Sequence, residues 1–221
     1  MGDRLWYHAR FGMTIQSTLG ADFREVLRGL IAVHHSIYPL VPPQGIYFEA
    51  LVERAFKRTR KPFSWIEPGG RNLPRHDLLV EGTRLSLKTE TGRGTDPDQI
   101  LITKLCTTEK EPWAAEDLIQ RVVAHLSRYD FILMLRAIWR LPVIKYQLLE
   151  VPVDLLRLVK TASLMPVGRR KGRQSFGADI LAAGQCVYHV HFDAADGKCQ
   201  IRNLPVSSCV RIDEWEIQVT D

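Results

Sequence analysis

The stretch Pro74-Arg75-His76-Asp77-Leu78-Leu79-Val80-Glu81-Gly82-Thr83-Arg84-Leu85-Ser86-Leu87-Lys88-Thr89-Glu90 constrains the fold most. Leu78 and Val80 alternate with Asp77 and Leu79, and Leu85 and Leu87 alternate with Arg84, Ser86, Lys88 and Glu90. That pattern predicts two short strands joined at Glu81-Gly82-Thr83. Successive strand residues point to opposite faces, so Ser86, Lys88 and Glu90 share one side. A two-residue turn at Glu81-Gly82 sets Asp77 opposite Ser86, and one at Gly82-Thr83 sets it opposite Lys88. Either register leaves the aspartate on the lysine's face, whereas a three-residue loop flips it away. A carboxylate and an ammonium on a half-buried sheet face, with a second carboxylate nearby, suit a metal and a phosphate.

Helical periodicity surrounds this hairpin. Phe23, Val26, Leu27, Leu30, Ile31 and His34 recur at helical spacing over 21–37, with Asp22 as a candidate cap and Pro39 and Pro42-Pro43 as the stop. Gly45 opens a second helix over 46–56 whose apolar stripe is Phe48, Leu51, Val52, Ala55 and Phe56. Glu49 sits at the margin of that stripe, where it can point into a cleft, while Glu53 lies further toward solvent. A loop over 62–74 leads into the hairpin, a Gly-rich polar loop over 91–98 follows it, and Ile100 to Ile102 forms a short strand. Next come an amphipathic helix over 114–129, strands over 131–139 and 143–151, and a helix from Val153 after Pro152. Arg169 to Ser175 is the densest basic loop, and a hairpin around Asp196-Gly197 and a strand near Trp215 close the chain. Helices before and after a hairpin-led mixed sheet specify an α/β layered domain, one unit over 1–221.

Composition narrows the partners. The 221 residues are 45% hydrophobic and carry 30 Lys+Arg against 25 Asp+Glu, a net charge of +5. That length buries a sizeable core, and the mild basic excess is compatible with nucleic acid. No apolar run is long enough for a membrane span and Met1-Gly2-Asp3-Arg4 begins no signal peptide, so a soluble cytoplasmic protein is expected. Cys106, Cys186, Cys199 and Cys209 lack the close pairing of a zinc ribbon and read as reduced, structural cysteines.

An aspartate ahead of a short hairpin, a lysine on its second strand and a glutamate on the preceding helix resemble the PD-(D/E)XK nuclease superfamily, and within it a type II restriction endonuclease. The resemblance covers roughly 45–140 and implies a restriction-endonuclease-like core, a mixed β-sheet flanked by helices. It implies that Asp77 binds a metal, Mg²⁺, and that Lys88 is the motif's lysine, orienting or helping to deprotonate the attacking water. Pro74 stands for the family's proline, with Arg75 and His76 inserted before Asp77. Ser86 occupies the position where the family most often has an acid. Glu49 and Glu90 are the candidate replacements; Glu90 shares the face of Lys88 but lies about 7 Å further along the strand, at a rise of roughly 3.3 Å per residue, so Glu49 is preferred.

The expected activity is Mg²⁺-dependent cleavage of double-stranded DNA at a short sequence by a homodimer matched to a palindrome. A repair or junction-processing nuclease on the same core, reading DNA shape, and a non-catalytic DNA-binding module are the alternatives. In the last, Asp77 and Lys88 form an ordinary cross-strand ion pair. For DNA contact the sequence offers the segment 166–177, with Arg169, Arg170, Lys171, Arg173 and Gln174, and the basic run that contains Arg58 and Lys61.

Overall fold

Phe131 to Arg140 is apolar almost throughout, as a strand covered on both faces must be, and it forms the centre of the larger of two sheets. The computed structural model describes residues 15–65, 78–108 and 114–219. Along the chain, α1 (Ile15–Ile37) and α2 (Ile46–Thr59) precede β1 (Phe63–Trp65), β2 (Leu78–Val80), β3 (Thr83–Glu90) and β4 (Gln99–Thr107). Then follow α3 (Ala115–Leu126), β5 (Phe131–Arg140), β6 (Val143–Pro152) and α4 (Val153–Leu156), which continues as a 3₁₀ turn to Thr161. The chain closes with β7 (Met165–Arg170), β8 (Arg173–Ala182), β9 (Gln185–Asp193), β10 (Lys198–Pro205) and β11 (Val210–Gln218).

The larger sheet runs β1-β2-β3-β5-β6-β11 and is mixed: β3 and β5 are parallel, the other pairs antiparallel. The second sheet, β4-β10-β9-β8-β7, is antiparallel throughout. Leu85, Leu87, Leu133 and Leu135 face Phe23, Leu27, Phe48, Val52 and Phe56 of the first two helices. Ile132, Met134, Leu149 and Val151, on the opposite face, pack with α3, α4 and the inner side of the second sheet. Helices, mixed sheet and a third layer give the α/β arrangement expected of a restriction-endonuclease-like core. No helix among the described residues is long and apolar enough to cross a membrane.

Several boundaries differ from the sequence reading. The first helix extends back to Ile15 across a break at Gly20, where φ is 64° and a Cβ would lie 2.6 Å from Asp22 Oδ1. The inward histidine at its end is His35, not His34. With Nδ1–H donating to the Pro39 carbonyl (2.8 Å), His35 Nε2 accepts from the Tyr146 hydroxyl (2.6 Å). The short strand at Ile100 is the nine-residue β4 and belongs to the second sheet. Arg169 to Ser175 is a hairpin rather than a loop, with Arg170 opposite Arg173 across Lys171-Gly172, whose φ values of 52° and 74° fit a type I′ turn. The run of charge hid the strand alternation there. Of the cysteines read as structural, Cys106 and Cys199 are buried and Cys209 partly so, whereas Cys186 is exposed.

Ion pairs at both ends fix the parallel register of β3 on β5. At the first, Asp130 accepts from the backbone N–H and the guanidinium of Arg84 (2.7–3.2 Å), setting Leu85 opposite Phe131. At the second, Glu90 stands opposite Arg136 and accepts from its Nε at 2.6 Å. Arg136 is fully buried, and its remaining donors reach Gln147 Oε1 (2.8 Å) and the carbonyls of Asp96 (2.5 Å) and Gln99 (2.6 Å). The exposed Arg84 pair contributes at most about 1 kcal/mol. Losing Arg136 strands a buried carboxylate, so Arg136→Met should cost about 3–5 kcal/mol in urea unfolding, and adding Glu90→Gln should recover part of it. A cost below about 1 kcal/mol would show that the network does not hold the sheet.

Candidate active site

The hairpin takes the first of its two possible registers. Val80 pairs with Thr83 and Leu78 with Leu85, and φ is positive at both Glu81 (49°) and Gly82 (82°), as a type I′ turn requires. Asp77 lies outside the described residues. The other sequence-predicted residues fall in different places. Ser86 is buried in β3 beside Ile132. Lys88 is half-buried and lies beside Met134.

Glu49, on α2, lines the same cleft as Lys88 on β3. The first turn of α2 abuts β3, where the Gly45 N–H donates to Thr89 Oγ1 at 3.4 Å. Glu49 belongs to that turn, and its backbone N–H donates to the Gly45 carbonyl at 3.1 Å. The result is a cleft of about 400 Å³ lined by Gly45, Glu49, Lys88 and Thr89 and, from β4, by Thr103 and Lys104. Helix margin and strand lysine, distant in sequence, thus share one open cleft. Thr103 and Lys104 were not anticipated; their sequence signal is two successive polar residues interrupting the alternation of Ile100 and Ile102.

Glu90 does not line the cleft. One carboxylate oxygen accepts from Arg136 and the other from the Leu101 N–H at 3.1 Å. Burial pushes its pKa up against the opposing pull of Arg136. Its carboxylate ties β3 to the start of β4.

Behind the lysine stands His125 of α3, its Nε2 buried without a hydrogen-bond partner among the described residues. Burial first, and then the charges of Lys88 and Arg128, bring its pKa down to about 4. Unfolded, this imidazole takes up a proton near pH 6.5; folded, only near pH 4. Its contribution to stability is therefore complete above pH 6.5 and lost as pH falls toward 4, up to about 3 kcal/mol at roughly 1.4 kcal/mol per unit. His125→Gln should flatten this limb of the stability profile. Lys88→Met should raise the His125 pKa in an NMR titration, and an unmoved value would place the ammonium elsewhere.

The predicted DNA-contact residues are spread over two surfaces. Arg58 is exposed on the last turn of α2, and Lys61 lies 3.9 Å from Asp22. On the β7–β8 hairpin, Arg169 Nε donates to Gln174 Oε1 (3.4 Å), and the Gln174 amide donates to the carbonyls of Gly168 (2.8 Å) and Ser175 (2.9 Å). Arg170 is exposed but paired with Asp193 (3.0 Å) and Asp196 (3.4 Å), and Lys171 is exposed at the tip without such a pair among the described residues. Arg173 is half-buried at the start of β8.

Comparison with known proteins gives this geometry its family. No solved structure matches the chain. It is 28% identical over 214 residues to the type II restriction enzyme SmaI of Serratia marcescens, covering 92% of this chain and 84% of that one. Residues 9–217, almost the whole length and both sheets, match the SmaI family, and the chain therefore belongs to that family of type II site-specific deoxyribonucleases.

Proposed function

We propose that the cleft at Lys88 is the cutting centre and that the enzyme cleaves both strands of duplex DNA with Mg²⁺, as a homodimer on a palindromic site. The observation that carries this reading is the meeting of Glu49 and Lys88 in one open cleft. Lys88, on a strand whose register is pinned at both ends, orients the attacking water and helps to take its proton. Glu49 supplies the carboxylate that Ser86 lacks.

A carboxylate is the hard oxygen donor Mg²⁺ takes, and one or two of them with water and phosphate complete its octahedron, so the cleft's donor set fits the ion. Glu49, with Asp77 as its partner, would hold it. When bound, the ion would neutralise charge developing on the scissile phosphate. Two-fold symmetry of the site follows from two copies each cutting one strand.

Lys88→Ala and Glu49→Ala should each lose plasmid cleavage by orders of magnitude while binding to the same DNA persists. Glu49→Ala should in addition need more Mg²⁺ for whatever activity is left. Wild-type cutting by either variant would move the active site elsewhere.

The β7–β8 hairpin is the proposed grip on the DNA, and its residues divide by contact. Lys171→Ala, at the exposed tip, should lower the slope of log affinity against log salt by about one. Arg170→Ala should instead cost stability, up to about 1 kcal/mol, by releasing Asp193 and Asp196. Unchanged salt slopes for Lys171→Ala, Arg169→Ala and Arg173→Ala together would make the hairpin a solvated edge.

A further inference from the structure

β4 does not run straight past the cleft. Ile102 pairs with Ile201 and Cys106 with Cys199, so Thr103, Lys104 and Leu105 face the single residue Gln200 of β10. Burial along the strand breaks at the same point. Ile100 and Ile102 are buried and Leu101 exposed, then Thr103 and Lys104 are exposed in succession and Leu105 and Cys106 buried in succession. This is a β-bulge, and bulges re-aim side chains, most often beside active sites. Here the bulge presents Thr103 and Lys104 to the cleft that holds Lys88 and Glu49.

The cleft therefore has an ammonium from each of two sheets, Lys88 on β3 and Lys104 on β4, against one described carboxylate, Glu49. Among the described residues neither ammonium is held in an ion pair with a carboxylate. A second cation so placed lowers the proton affinity of Lys88 by like-charge repulsion, and it can also bind an anion itself. Beside the Thr103 hydroxyl, in a cleft with two ammoniums against one described carboxylate, it suits a second phosphate.

We propose that the β4 bulge is a phosphodiester-binding subsite. Lys104 Nζ and Thr103 Oγ1 hold the oxygens of a backbone phosphate neighbouring the one that is cut, and so set the strand's register over Lys88. Contacts of this kind position DNA and carry no sequence information. The proposal rests on the reading of the Lys88 cleft as the cutting centre.

The test measures binding of the full-length enzyme to cognate and unrelated duplexes without Mg²⁺, across a salt series. Lys104→Gln should weaken both duplexes by the same factor and lower the salt slope by about one, whereas Lys104→Arg should keep the wild-type slope. A set of cognate duplexes, each with one neutral methylphosphonate, locates the contact. At one phosphate next to the cut, the substitution should weaken wild-type binding but leave Lys104→Gln unaffected. Thr103→Val should weaken binding most at that same phosphate. An unchanged slope in Lys104→Gln, or penalties that add at every phosphate, would overturn the subsite. Wild-type cleavage by Lys88→Ala would sink the cutting-centre reading instead, so the two failures are distinguishable.

Discussion

The buried guanidinium of Arg136 is the interaction on which the rest of this architecture depends. It sits in the central strand of the larger sheet with no exposure to water. A cation there is tolerable only if its donors are met in good geometry. Glu90 neutralises it, Gln147 takes one more donor, and the carbonyls of Asp96 and Gln99 take others. Those partners come from the end of β3, the neighbouring β6, the loop after Glu90 and the start of β4. One side chain therefore fixes where β3 ends, how the polar loop leaves it and where the second sheet begins.

The cleft follows from that junction. Lys88 lies two residues before Glu90, so the ion pair that holds the strand end also limits where the lysine can go. β4, launched from the same network, brings Thr103 and Lys104 to the other wall, and α2 completes the cleft by docking its first turn on Thr89. Apolar burial stabilises the layers, at about 1.5–3 kcal/mol for each large side chain fully covered. It is not directional, however, and the register comes from the polar contacts.

Local pattern made much of this legible in the sequence. The alternation in 78–90 gave the hairpin, its turn and the shared face of Ser86, Lys88 and Glu90, and the helical stripe of α2 placed Glu49 at a margin. What escaped depended on partners far along the chain. Glu90 reads as an available acid until Arg136, its neighbour across a parallel pair, is known. The hairpin at Lys171-Gly172 was masked because Arg169, Arg170 and Arg173 remove the apolar alternation by which strands are recognised. A second sheet cannot be separated from the first by periodicity, since both contain ordinary strands. The bulge at Thr103 and Lys104 left only a two-residue lapse in alternation, which has meaning only beside β10.

The lysine end of β3, anchored through Glu90 to Arg136 and sharing a cleft with Glu49, is the proposed cutting centre. The most direct measurement is an anomalous difference map from crystals of the enzyme with a non-cleavable duplex and Mn²⁺ in place of Mg²⁺. A manganese peak is expected in the Lys88 cleft, ligated by Glu49, with a DNA phosphate beside it. A peak at another acidic group, such as Asp193 or Asp213, with the cleft empty and the DNA bound elsewhere, would contradict it.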